Sequence, residues 1–469
     1  MSRLRDYDVI VVGAGGAGLA AGVVAHDAGA RVLLVESEPQ VGGSTRLSGG
    51  VFYAAGTTVQ LAAGVTGDGP AAMYEYYMTL NQWRVEPAVV RRLCDEAAPA
   101  LEWLISLGVE FSPDALYISG VESVPRGHSA TGSGASIASA LEQARRARSI
   151  DLALETRVDS LLVERGQVVG VGAGGQDVRA GAVIISTGGF GQNPDMLDRY
   201  YPEATAAGDW TWSISAAGSR GDGIVLGENV EAAVLGYNRG LLLTTPGFYK
   251  QLEVYVPGWL VYVNREGRRF VNETAAYAVM AGVVREQGGV AFAIFDEASR
   301  AQAEPDPVYA DAFASGVLPL NWVNSVLEDM ANTGRIIRAN TLDEVAVRAG
   351  INAKALNATV ERYNADVRRG LDSTFFKDMK VLRRIDKPPF YAAEVRPAIV
   401  CLTSTGLRID ADCHVLSTSE MVIPGLYAAG ETTGGVLGDR YIGGGNSIAN
   451  AIVFGRIAGA AAAAEALAS

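Results

Sequence analysis

The stretch Tyr7 to Glu36, YDVIVVGAGGAGLAAGVVAHDAGARVLLVE, constrains this 469-residue chain more than any other. Its opening run YDVIVV is short and β-branched, the pattern of a strand buried in a parallel sheet. Gly13-Ala14-Gly15-Gly16-Ala17-Gly18 follows at once. In such a turn Gly13 permits the sharp reversal and Gly15 lets backbone N–H groups approach a pyrophosphate. Gly18 lets the next helix lie close on the strand. That helix, running to about Ala28, points its N-terminal amides and dipole at the phosphates. A second strand, 31–35, ends at Glu36, placed to accept from the hydroxyls of a ribose. Strand, glycines, helix, strand and acid together specify an adenine-dinucleotide site, with Gly13, Gly15, Ala17, Gly18 and Glu36 in contact with it.

At this length two domains are expected. The 56 glycines and 49% apolar content fit a large α/β protein. No apolar run reaches the length of a bilayer span, and no signal peptide fits before the first strand, so no membrane span is expected. Cys94, Cys401 and Cys413 form no CxxC pair, which argues for a reducing, cytoplasmic setting and against a metal site. A net charge of −13 disfavours nucleic acid as a partner.

Small-residue loops at Gly42-Gly43-Ser44-Thr45 and Ser48-Gly49-Gly50 suit a bulky cofactor lying against backbone. Residues 70–107 read as a helical insertion and 159–173 as a hairpin turning at Arg165-Gly166. A buried strand over 182–187 ends in Gly188-Gly189. From about Gly240 aromatics become dense (Phe248, Tyr249, Tyr255, Trp259, Tyr262) and the glycine pattern disappears. Residues 342–370 have helical periodicity capped by Thr341, and small-residue α/β texture returns after Pro397. The division expected is a dinucleotide-binding domain built from 1–238 and 397–469, with a substrate domain, 239–396, inserted.

Two distant features favour FAD over NAD. GLYAAGE places Gly430 and Glu431 just after a strand, where the carboxylate can reach ribityl hydroxyls. Gly443-Gly444-Gly445-Asn446-Ser447-Ile448 opens a helix whose N-terminus could stabilise charge on the pyrimidine edge of a reduced flavin.

The chain resembles the flavoprotein superfamily of soluble fumarate reductases, urocanate reductases and 3-ketosteroid dehydrogenases. The matching stretches are VIVVGAGGAGLAAG, VGGSTRLSGG, VNREGRRFVNE, PGLYAAGE and GGGNSIANAIVFGRIAG, in the family's order and over nearly the whole length. The resemblance implies an α/β fold: a Rossmann-like, glutathione-reductase-like FAD-binding domain on a parallel sheet, with an inserted α+β catalytic domain. It also implies non-covalent FAD, hydride exchange at flavin N5 and an external electron acceptor such as a quinone. Its cofactor contacts carry over to the residues already named, with Val158, Thr187 and Gly188 completing the set.

In the fumarate reductases an arginine four residues after the glutamate of RFVNE delivers a proton; this chain has Tyr277 there. Their substrate histidines are absent from CLTSTG (401–406), and Tyr441-Ile442-Gly443-Gly444-Gly445 stands where they clamp a carboxylate with arginine. The 3-ketosteroid Δ1-dehydrogenases resemble the chain better at these points, with a tyrosine at the spacing of Tyr277, Tyr-x-Gly-x-Gly before the last helix, and a further tyrosine corresponding to Tyr117. They differ in carrying proline where this chain has Ala276.

These residues outline one chemistry. Desaturating a ketone removes a proton beside the carbonyl and a hydride from the next carbon. The Tyr441 hydroxyl and the Gly445 N–H would bind the ketone oxygen, and Tyr277 would be the base, eased by a neighbouring phenol such as Tyr117 or by a helix end. The expected substrate is a small apolar cyclic ketone, a 3-ketosteroid or smaller. The alternative is a C=C reductase acting on an enone or enoate, since the same groups serve the reverse direction.

Overall fold

Residues 5–250, 253, 256–305 and 321–468 are described by the computed structural model of the chain. Tyr255 lies outside them. The chain forms two units. The first takes residues up to Glu203, Ser213–Leu241, and everything from Val400 on; the second takes Ala204–Trp212 and Leu242–Ile399. The short piece 204–212 therefore groups differently from the sequence reading. Its Trp210 ring lies between two guanidinium groups of the second unit, Arg335 at 4.0 Å and Arg396 at 4.6 Å.

The first unit is built on an eight-stranded sheet. Strand β1 (Tyr7–Val12) leads through the glycine turn into helix α1 (Gly16–Asp27) and strand β2 (Val32–Val35). A small antiparallel sheet joins β3 (Val51–Tyr53), β4 (Phe111–Tyr117) and β5 (Gly127–Ala130). Strand β6 (Asp151–Ala153) extends the main sheet beside β2. The hairpin β7 (Val158–Glu164) and β8 (Gln167–Ala173) turns at Arg165-Gly166, both at positive φ, and runs into β9 (Gln176–Ile185). Late in the chain β10 (His414–Leu416) and β11 (Val422–Ala428) close the other edge. The main order is β10-β11-β9-β1-β2-β6, parallel from β11 to β6. Central β1 is buried from Val9 to Val12, as expected of a strand covered on both faces.

Helix α2 (Gly43–Leu47) follows the second glycine loop, and the insertion folds as α3 (Pro70–Leu80) and α4 (Pro87–Ser106). The helix opened by the last glycine run is α5 (Asn446–Ala468). A Cβ on Gly455 would lie 2.3 Å from the Ala17 carbonyl oxygen, and one on Gly459 equally close to that of Ala21. Glycines four apart thus let α5 lie backbone to backbone on α1. Among the described residues α5 is the one helix long and apolar enough to cross a membrane, and half of that stretch is buried inside the protein.

In the second unit the strand Phe390–Thr403 pairs antiparallel with Ala291–Asp296 on one side and Ile336–Ala339 on the other. Strand periodicity splits its core in two. Ala291, Ala293 and Phe295 enter one cluster with Trp259 and Tyr391; Phe292 and Ile294 enter another with Val360 and Tyr363.

Candidate active site

The cofactor cradle belongs to the first unit. Gly13 sits at φ +100° and donates its N–H to Val35 O at 2.7 Å. A Cβ on Gly18 would fall 1.8 Å from Gly13 O, so α1 approaches the turn as only glycine permits. Gly15 is the N-cap of α1 and no side chain caps that end, so the first-turn amides are presented for an anion. Gly43, at φ +46°, faces Gly15 across a gap that a Cβ would close to 3.2 Å. Glu36 is buried, and each carboxylate oxygen is fixed by backbone: Oε2 accepts from Ala14 N–H at 2.7 Å and Oε1 from Glu38 N–H at 2.9 Å. Oε1 also accepts from Ser37 Oγ at 3.2 Å, and the second lone pair of Oε2 stays available for a ribose hydroxyl.

Glu431 lies at the far end of the same cradle. Its Oε1 accepts from Thr403 N–H and Oγ1 at 2.9 and 3.0 Å, and burial raises its pKa. A Cβ on Gly189 would meet Oε1 at 2.3 Å, and Gly430, at φ +81°, packs against Ala17. An uncapped helix start, a backbone-fixed acid and glycines where a Cβ would intrude fit FAD.

Other expected cofactor residues are differently engaged. Ser44 Oγ accepts from Ala216 N–H at 3.0 Å, and Thr187 Oγ1 from Gly223 N–H at 3.1 Å. Ser48 Oγ donates to Thr45 O and accepts from Gly50 N–H, closing its own turn. Thr45 Oγ1 packs at Gly16, where a Cβ would come within 2.5 Å. Gly49 borders open space, Gly50 and Gly188 hold positive φ, and Val158 starts β7. Asn446 turns its amide nitrogen to the Tyr77 hydroxyl at 3.0 Å, a contact with α3, while Ile448 is buried in the core.

The loop before α5 brings Tyr441, Gly445 and Ser447 together. The Tyr441 hydroxyl accepts from Ser447 N–H at 3.1 Å and pairs with Ser447 Oγ at 3.0 Å. Ser447, expected at the flavin, thus also holds the phenol through its amide and hydroxyl. Burial pushes Tyr441 up to about 12, while the hydrogen bonds with Ser447 pull the other way. Tyr441 therefore keeps its proton at neutral pH, beside the Gly445 amide, and can donate it to a substrate oxygen. Gly445 needs its φ of +97°, and a Cβ there would strike the Val51 backbone at 2.7 Å.

Tyr117 ends β4 with 42% of its surface exposed. Two residues on, Ser119 O accepts from Gly444 N–H at 3.0 Å, which sets this segment beside the Tyr441 loop. His128 is a structural hydrogen-bonder: its ring nitrogens meet Thr57 Oγ1 at 2.8 Å and Arg126 O at 2.8 Å, and burial lowers its pKa. Sequence reasoning missed Tyr76, Ser119, Glu122 and Thr403. Tyr76 gave one faint signal, standing in a run of tyrosines on an otherwise apolar helix.

Tyr277 belongs to the second unit, as the first residue of the helix Tyr277–Glu286. The chain before it is held on both sides. Asn272 Oδ1 accepts from Thr274 N–H at 2.9 Å. Glu273 is fully buried against Arg269 and Lys377, both at 2.8 Å, and accepts from Tyr262 N–H at 3.0 Å. Arg269 also grips buried Asp372 at 2.8 Å. Arg269 thus anchors the RFVNE segment, whereas Arg268 meets Asn264 through its backbone, its N–H donating to Oδ1 at 3.0 Å and its O accepting from Asn264 N–H at 3.1 Å.

The family model described as FAD binding domain matches residues 8–448, and the chain belongs to that family. It is 34% identical to a fumarate reductase (cytochrome) of Shewanella frigidimarina, over 97% of this chain and 77% of that protein. It is 26% identical to the 3-oxosteroid 1-dehydrogenase of Mycobacterium tuberculosis, over 97% of this chain and 98% of that one. Among solved structures it is similar to 3-ketosteroid-Δ4-(5α)-dehydrogenase from Rhodococcus jostii RHA1 in complex with 4-androstene-3,17-dione. There the TM-score is 0.79 at 26% identity, covering 99% of this chain and 98% of that chain. The chain is an FAD-dependent oxidoreductase acting on carbon–carbon bonds.

Proposed function

We propose that the chain desaturates an uncharged cyclic ketone, a 3-ketosteroid or smaller, placing a C=C bond beside the carbonyl. The observation that carries this reading is the Tyr441 loop: a phenol held protonated, with the Gly445 amide beside it, is a donor set for a neutral carbonyl oxygen. Tyr277, at a helix start whose positive potential favours proton loss, is the base that removes the α proton. Bound FAD supplies the hydride acceptor, and an external acceptor such as a quinone then takes the electrons.

A second reading runs the same groups in reverse, as reduction of an enone or enoate. The reductase at 34% identity favours it. Anaerobic mixing separates the two. Bleaching of the yellow holoenzyme by a saturated cyclic ketone supports desaturation. If ketones leave it yellow and only the pre-reduced enzyme is reoxidised by an enone, the reverse direction is correct. Tyr277→Phe should abolish turnover with flavin retained; an active variant removes Tyr277 from the base role.

A further inference from the structure

We propose that Tyr76 and Glu122 are positioning residues that set the donor geometry of the Tyr441 loop. The inference rests on the reading of Tyr441 and Gly445 as the pair that binds the substrate oxygen.

Three consecutive glycines, 443 to 445, have no side chains to fix them, and glycine loses more freedom on ordering than any other residue. Space requires glycine at 443 and 445. A Cβ on Gly443 would lie 2.6 Å from the Tyr53 ring and 2.7 Å from Ser119 Oγ. The geometry of the loop is therefore imposed from outside, one peptide at a time. Ile442 O accepts from the Tyr76 hydroxyl of α3 at 2.8 Å. Gly444 N–H donates to Ser119 O at 3.0 Å, and Gly445 O accepts from Tyr53 N–H of β3 at 3.3 Å.

Two of these three holds converge on one carboxylate. Glu122 is buried; its Oε1 accepts from Ser119 N–H at 2.8 Å and from Ser119 Oγ at 3.3 Å, and its Oε2 lies 3.4 Å from the Tyr76 hydroxyl. Behind Tyr76 stands Arg126, 5.5 Å from its ring centre and bidentate on Asp68 at 2.6 and 2.9 Å. The Arg126–Asp68 pair is almost completely buried. Glu122 thus ties the Ser119 turn to Tyr76, and both hold peptides next to Tyr441 and Gly445. Each acts through the backbone of the loop.

The test uses the FAD-loaded enzyme and 4-cyanophenol, whose phenolate mimics the charged oxygen of an enolate and whose ionisation is read in the near-ultraviolet. Small misplacements of catalytic groups are costly in rate, so Tyr76→Phe should lower kcat about tenfold with KM changed far less. It should weaken phenolate binding by a similar factor with flavin content and melting temperature preserved. Glu122→Ala should behave likewise. Glu122→Gln, which keeps an acceptor for Ser119 N–H, should restore most of both. If Tyr441→Phe weakens phenolate binding while Tyr76→Phe and Glu122→Ala bind and turn over as wild type, the positioning role is wrong and the oxygen-binding pair stands. If Tyr441→Phe itself binds phenolate as wild type does, the underlying reading falls, and this proposal with it.

Discussion

Gly18→Ala and Gly22→Ala form a controlled pair within one helix. Both exchanges carry the same intrinsic helix preference, about 1 kcal/mol in favour of alanine. They differ in what the new methyl meets. At position 18 it would sit 1.8 Å from Gly13 O and 2.7 Å from Ser186 Oγ. Carbon and oxygen atoms need roughly 3.5 Å, so α1 or the turn must move by more than an ångström. Neither has slack: Gly13 is tied to Val35 O at 2.7 Å, and α5 lies directly on α1 at Ala17 and Ala21. At position 22 the methyl meets only the Leu34 side-chain tip, Cδ1 at 2.7 Å, which can rotate away. Overpacking a fixed site costs about 1–3 kcal/mol, and here the strain falls on the amides aimed at the pyrophosphate. Gly22→Ala should keep wild-type flavin content and a melting temperature within a few degrees. Gly18→Ala should be purified depleted of flavin, and its apoprotein should take up FAD about ten- to a hundredfold more weakly in a fluorescence titration. Equal flavin affinity in the two variants would refute the assignment of that turn as the phosphate cradle.

Tyr441→Phe should lower kcat by about 10²–10³, the usual worth of one oxyanion donor, with flavin content unchanged in the absorbance spectrum. Arg269→Ala should destabilise the second unit by about 3–5 kcal/mol in chemical denaturation, because it leaves Glu273 and Asp372 buried with one cation fewer. Burial lifts Glu253 to about 8, above its ordinary range, so its contribution to stability is fully present at pH 4 and is lost as pH rises through 8. Glu253→Gln should therefore flatten that decline in melting temperature, and wild-type-like loss between pH 5 and 8 would show that another group is responsible.

The parts of the site that were legible in the sequence are those whose requirements are local. Gly13 and Gly18 announce themselves because one turn demands a positive φ and a missing Cβ within six residues. Tyr441, Gly445 and Ser447 fall within seven positions, so their motif survives as a string. What holds that motif does not. Tyr76 and Ile442 are 366 positions apart, and no spacing rule connects them. The polar residues of the glycine loops carry long-range contacts of the same kind: Ser44 and Thr187 each accept an amide hydrogen bond from a residue distant in sequence, Ala216 and Gly223, which leaves the hydroxyl proton to donate. The segment 204–212 likewise follows Trp210, whose two arginine partners come from residues more than a hundred positions later.

In the proposed reaction the two tyrosines have different tasks. Tyr441 is buried, receives an amide hydrogen bond from Ser447 and stays protonated up to about 12, so it is a donor throughout the range in which the protein would be assayed. A base cannot be built from it. Tyr277, the proposed base, sits at the start of a ten-residue helix. A base must lose its proton to work, so desaturation should speed up as pH rises, and the donor should impose no falling limb below pH 10. The profile of kcat against pH for a saturated ketone should accordingly climb on one side only, and Tyr441→Phe should lower it without moving it. A falling limb near neutrality that disappears in Tyr441→Phe would mean the roles of the two phenols are reversed.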